Sequence, residues 1–280
     1  MNYYELEKNA TIKGFLDKNG IDVEQIRKLP EAKTLTGKEI NPIAFDYGIW
    51  KKNEEKIISI TDIIGAYNFM YDKHENIIDS MRSYFGDHSN TYASRADGML
   101  NYSNNEIIEK LSYSFKKEPI CISEYDQNKY TISSNGMHRY HLLRIHYLNE
   151  VTKPGITEEE KERLKQKYSI PVRVAKLDYI KTYCNFILNF VNQDYYISTE
   201  LNDNYMLTGN AVLTEPNKET RVLNDTQLIE YVKNKLKEMN ELYIPYIDYM
   251  SKNIESLDMF IETYLPELRE DRINKEGRNI

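Results

Sequence analysis

Residues 133–141 read Ser-Ser-Asn-Gly-Met-His-Arg-Tyr-His and bring together groups suited to holding an anion. Ser133, Ser134 and Asn135 supply short polar side chains, and Gly136 supplies a backbone without a Cβ. Met137 follows, then His138 with a donor ring and Arg139 with a guanidinium. Apolar residues next recur at helical spacing, at Leu142, Leu143, Ile145 and Leu148, so a helix over about 138–150 is expected to begin here. The first turn of a helix leaves backbone N–H groups unpaired and carries partial positive charge. A glycine there allows close approach of a ligand, and an arginine adds a planar fork of donors that matches phosphate or carboxylate. Such a junction can hold nucleotide phosphates. The same residues also suit a plain helix start, with Ser134 or Asn135 capping, Gly136 relaxing the turn, and His138 and Arg139 solvated. Local chemistry leaves both readings open. A cation at a helix N-terminus costs about 0.3–1 kcal/mol, which suggests a use for Arg139 beyond the helix itself. The plainer alternative is a pairing with Glu118 or Asp126.

Other residues carry weaker signals. Arg95 and Asp97, in the loop-like stretch Ser94–Gly98, are the candidates for catalysis, an acid and a guanidinium that could reach phosphates. A turn closed by an ion pair is the simpler reading. His138 and His141 are three apart, a spacing that suits metal ligation, but no third ligand is positioned, so no metal site is expected. Glu118 and Glu124 are expected to be exposed rim carboxylates. The tyrosine-rich stretches at 193–198 and 243–250 are expected to pack rather than to stack on bases.

These residues need elements to hold them. Helices are expected within 1–30 and over 74–85. Residues 56–64 read as one strand, because they alternate and are rich in isoleucine. Ser103 and Glu106 form a capping box opening a helix to Phe115. Strands at 118–125 and 129–134 flank the turn Asp126–Asn128. A second capping box, Thr157 with Glu160, opens a helix so charged that a solvated surface position is expected. A strand follows at 169–177, then an apolar helix, strand-like pieces over 194–223, a helix capped by Asp225, and more helices beyond.

The order of these pieces resembles the ParB/sulfiredoxin superfamily. Pro119-Ile120 matches its "PI-x-V" strand, Gly136, His138, Arg139 and Tyr140 its G-x-H-R loop, and Ile170-Pro171-Val172 its closing "IPV" strand. The resemblance covers about residues 103–177. It implies a core with a small mixed sheet that binds a nucleotide, ATP or another nucleoside triphosphate with Mg²⁺, for phosphoryl transfer or hydrolysis; the alternatives are a DNA-associated regulator that uses the nucleotide as a switch and a non-catalytic interaction module. By position, Ser134, Asn135, Gly136, Met137, His138 and Arg139 would form its phosphate-binding loop. Three departures bear on activity. Met137 stands where sulfiredoxins have their cysteine nucleophile, and a thioether cannot attack, so sulfinic-acid reduction is not expected. The helix-turn-helix that follows this core in partition proteins is missing. The helix at 157–168 replaces a short loop.

Acidic residues outnumber basic ones 44 to 37, and the pI is about 5.5, which argues against a chain whose main work is holding nucleic-acid backbones. Sequence-specific DNA binding is therefore not expected. Mean hydropathy is -0.68, and no apolar run is long enough to span a membrane. The start lacks the pattern of a signal peptide, and Cys121 and Cys184 form no ligand spacing, so a cytoplasmic location is expected. The expected architecture is mixed α/β, of the α+β class. A helical segment at 1–52 precedes a core at 53–177 and a mostly helical region at 178–280. A homo-oligomer is left open.

Overall fold

The computed structural model describes residues 12–51, 53–66, 76–86, 118–133, 136–202, 207–238 and 243–268. The chain divides into two compact units. One takes residues 1–39, 53–124 and 128–175, and the other 40–52, 125–127 and 176–280.

The first unit opens with residues 12–18 (α1) and Val23–Arg27 (α2), the latter capped by Asp22, whose carboxylate accepts from Gln25 N at 3.0 Å. Gly37–Ile40 (α3) leads to Pro42–Tyr47 (α4), which lies in the second unit and is capped by Asn41 with proline at its first position. Back in the first unit, the run expected to be one strand is two: Glu54–Ser59 (β1) and Ile63–Ala66 (β2), parted by a 3-10 turn over Ile60–Asp62. The cause is readable. In a continuous strand Ile58, Ile60, Asp62 and Ile64 would share a face and bury a carboxylate. Instead the Ser59 hydroxyl accepts from Thr61 N at 3.3 Å and turns the chain. Ile58, Ile60 and Ile63 all reach the core, and Asp62 stays half-buried.

Ile77–Gly86 (α5) follows. Ile120–Asp126 (β3) and Lys129–Ile132 (β4) form a hairpin, with Asn128 in the left-handed region at φ 54°. Met137–Val151 (α6), Glu158–Lys167 (α7) and Ser169–Ala175 (β5) complete the unit. The sheet order is β1-β5-β3-β4-β2. β1 runs antiparallel to β5, β5 parallel to β3, and β4 parallel to β2. Register sets Ile58 opposite Ile170 and Ile120 opposite Val172, so one face of the sheet is aliphatic and joins the core with Tyr140, Leu143 and Leu148 of α6. α7 has the expected reciprocal cap between Thr157 and Glu160, and none of its residues is buried.

The second unit contains Tyr179–Val191 (α8), a three-stranded antiparallel meander of Tyr196–Leu201 (β6), Leu207–Thr214 (β7) and Thr220–Leu223 (β8), then Asp225–Leu236 (α9), Tyr243–Ser251 (α10) and Glu255–Tyr264 (α11). α9 is capped by Asn224 rather than the expected Asp225: the Asn224 amide oxygen accepts from Gln227 N at 2.9 Å and Gln227 returns a bond to Asn224 N. The unit has its own core, built on Tyr183, Ile187, Leu213, Leu228 and Leu257. The expected α+β character holds. No helix among the described residues is long and apolar enough to cross a membrane.

Candidate functional site

α6 begins at Gly136, which caps it in the left-handed region at φ 101° and ψ 11° without a side chain to bond the first turn. The missing Cβ has a second use. A Cβ there would lie 2.5 Å from Ile120 Cγ1, so the start of β3 fills the space beside the glycine. Ser133 N donates to Cys121 O at 2.9 Å and holds the end of the hairpin against the same strand. Ser134 and Asn135 lie outside the described residues, as do Arg95, Asp97 and the capping box at Ser103 and Glu106.

The three residues after Gly136 part company. Met137 is buried in the core, and His138 is half-buried. Arg139 is 4% exposed, and its Nη1 donates to the main-chain carbonyl of Glu118 at 2.6 Å. The arginine thus turns back onto the residue just ahead of β3, a variant of the pairing set against the anion role. Burial pulls its pKa below the ordinary arginine value, opposed by the charge of Glu118, and the group remains a cation. Asp126, the other acid considered, accepts from Gln127 N at 3.0 Å and from Ser256 N at 3.3 Å. Glu118 is exposed as expected, but Glu124 is buried at 6% exposure, because its position in β3 points it to the aliphatic face with Ile120 and Ile122.

Behind this turn α6 carries polar groups that its apolar spacing did not announce. His141 Nδ1 contacts Met137 O at 2.8 Å, and Nε2 contacts Ser80 Oγ at 2.8 Å. A carbonyl only accepts, so Nδ1 holds a proton and donates to it, and in the neutral ring the Ser80 hydroxyl donates to Nε2. That occupies His141, and no group of three metal-ligating side chains is placed together among the described residues. Arg144 is 3% exposed and donates to the carbonyls of Ile63 and of Glu31, the latter at 2.6 Å. The Tyr140 hydroxyl also donates to Ile63 O, at 3.0 Å. A signal for Arg144 was present: it falls on the stripe of Tyr140, Tyr147, Leu148 and Val151, where a cation must find buried acceptors. His146, 3% exposed, stands edge-on to Phe15 at 5.7 Å, and its Nε2 has no hydrogen-bond partner among the described residues.

For an anion, this start offers the end of the helix axis and a buried guanidinium in the first turn. The gap at Gly136 is not available, since Ile120 occupies it. Mg²⁺ commonly binds through substrate phosphates and only one or two carboxylates, so a nucleotide could bring it without a ready-made protein cage. The tyrosine stretches are mixed: Tyr195 is buried, whereas Tyr196, Tyr246 and Tyr249 are exposed.

No protein-family model, no curated protein and no solved structure matches the chain.

Proposed function

We propose that the turn ahead of α6 binds the phosphates of a nucleotide, ATP or another nucleoside triphosphate with Mg²⁺, for phosphoryl transfer or hydrolysis. The observation that carries the reading is the helix start itself. A left-handed glycine with no capping side chain opens a fifteen-residue helix directly after a hairpin, with a buried arginine in its first turn. The dipole and the cation act in the same sense on a negative ligand. The order of hairpin, glycine turn, helix and parallel strand β5 is that of the ParB/sulfiredoxin resemblance.

A second reading, a non-catalytic interaction module, is favoured by Ile120 beside Gly136 and by the Arg139 bond to Glu118 O. In that case glycine and arginine serve the packing of β3 on α6. Calorimetric titration of the full chain with ATP, CTP and ADP, with and without Mg²⁺, separates the two. Nucleotide binding predicts one-to-one stoichiometry for at least one triphosphate and about tenfold weaker binding by Arg139→Lys, which keeps the charge but not the fork. A phosphate-release assay on the same samples reads hydrolysis. If no triphosphate binds at millimolar concentration, the nucleotide reading falls and the module remains.

A further inference from the structure

In the second unit, the N-terminal turns of α8 and α9 share a buried lysine. Lys181 is 2% exposed, and its Nζ donates to Asp178 Oδ2 at 2.7 Å and to Asp225 Oδ1 at 3.3 Å. Asp178 caps α8, and Asp225 opens α9. An ammonium has three donors, and the third of Lys181 has no partner among the described residues. Lys181 lines a cavity of about 360 Å³, whose walls include Trp50, Leu207 and Gly209. Among the described residues nothing lies within 4 Å of where a Cβ of Gly209 would be. Lys51 is half-exposed, 3.9 Å from Asp178 Oδ2, and lines the same cavity.

The charges decide the ligand. Lys51 and Lys181 balance Asp178 and Asp225, and the two helix N-termini add about half a positive charge each. The excess favours one negative charge. A buried ammonium with a donor left over wants an oxygen acceptor, since a buried unused donor is costly. Trp50 and Leu207 supply an apolar surface suited to a flat body, and the volume lies within the usual range for small-molecule sites, roughly 300–1,000 Å³. We propose that this cavity binds a small aromatic carboxylate, its carboxylate on Lys181 and Lys51 and its ring against Trp50 and Leu207. The site shares no residue with the turn ahead of α6, so it stands whether or not that turn binds nucleotide.

Trp50 is the chain's single tryptophan, so its emission reports on this cavity alone. Benzoate titrated into the full chain should change that emission saturably. Benzamide, with the same outline and no charge, should bind at least about tenfold more weakly, and Lys181→Met should weaken benzoate by a similar factor. Should Lys181→Met not fold, Lys51→Ala on the half-exposed rim should weaken benzoate, and Thr199→Phe should abolish the response, since Thr199 also lines the cavity and a phenylalanine in its place should fill it. No saturable change overturns the proposal. So does equal binding of benzamide, or displacement of benzoate by equimolar inorganic phosphate, which would mark a bare anion site.

Discussion

Ile120 occupies the space that Gly136 leaves, with its Cγ1 2.5 Å from where a Cβ would stand. The first residue of β3 and the cap of α6 are therefore fitted to each other. The turn that looked made for a ligand is also the seam between strand and helix.

Gly136→Ala is expected to destabilise the chain by about 2–4 kcal/mol, from left-handed backbone strain and the clash with Ile120. Ile120→Ala costs stability by itself but removes the closest contact, that of Cγ1, and leaves only its own Cβ at 3.2 Å, so the double variant should lose at least about 1 kcal/mol less than the sum of the singles. Urea denaturation of the four proteins measures this. Simple additivity would show that the contact does not matter.

Arg139→Ala should lower stability by about 1–2 kcal/mol, because the bond to Glu118 O and the packing of a buried side chain are lost. The sequence alone suggested a fold left intact or slightly relieved. Thermal unfolding decides: an unchanged or higher Tm contradicts the structural role.

His146 predicts a pH dependence. Burial pushes its pKa down to about 4, with Glu150 acting weakly the other way. The folded state keeps the ring neutral where an unfolded histidine, with a pKa of about 6.5, takes a proton. Stability from this group is thus full above about pH 6.5 and falls as pH drops toward 4, by at most about 3 kcal/mol. His146→Leu should flatten that part of the profile. Urea midpoints at pH 7, 5.5 and 4.5 for both proteins test it, and parallel profiles would refute it.

Asp178→Ala removes a cap and the closer partner of a buried lysine together. A loss of about 3–5 kcal/mol is expected, more than for an ordinary cap. Asp178→Asn, which can still cap, should recover part of it. A loss near 1 kcal/mol would mean that Lys181 finds other company.

Duplex DNA should bind no better than nonspecifically, roughly 10⁻⁴–10⁻⁶ M near physiological salt, given the acidic balance of the chain. A fluorescence titration showing submicromolar affinity would reverse this.

Much of the fold was legible. Periodicity and caps located α6, α7 and α8, because apolar spacing and a Thr-x-x-Glu box are local signals. The break at Ser59–Asp62 was missed because isoleucines on both sides of it look continuous until Asp62 is placed on a face. At the candidate site, Gly136 and Arg139 were visible as residue types. Their partners were not, since Ile120 and the Glu118 carbonyl lie far away in sequence. Asn224 was passed over for Asp225 because both are good caps, and only the bond to Gln227 N distinguishes them.

The break at Ser59 has a geometric consequence. β1 and β2 are the two margins of the five-stranded sheet, four strand spacings apart, or about 19 Å if the sheet were flat. From Ser59 to Ile63 the chain takes four steps and can span at most about 14 Å. The sheet must therefore bend into an arc whose chord is shorter than its width, like an unclosed stave barrel. Ile63 stands at the opening of that arc, where its carbonyl receives both the Tyr140 hydroxyl and the Arg144 guanidinium. The three-residue tether thus requires the bend, and two side chains of α6 are bonded at its opening.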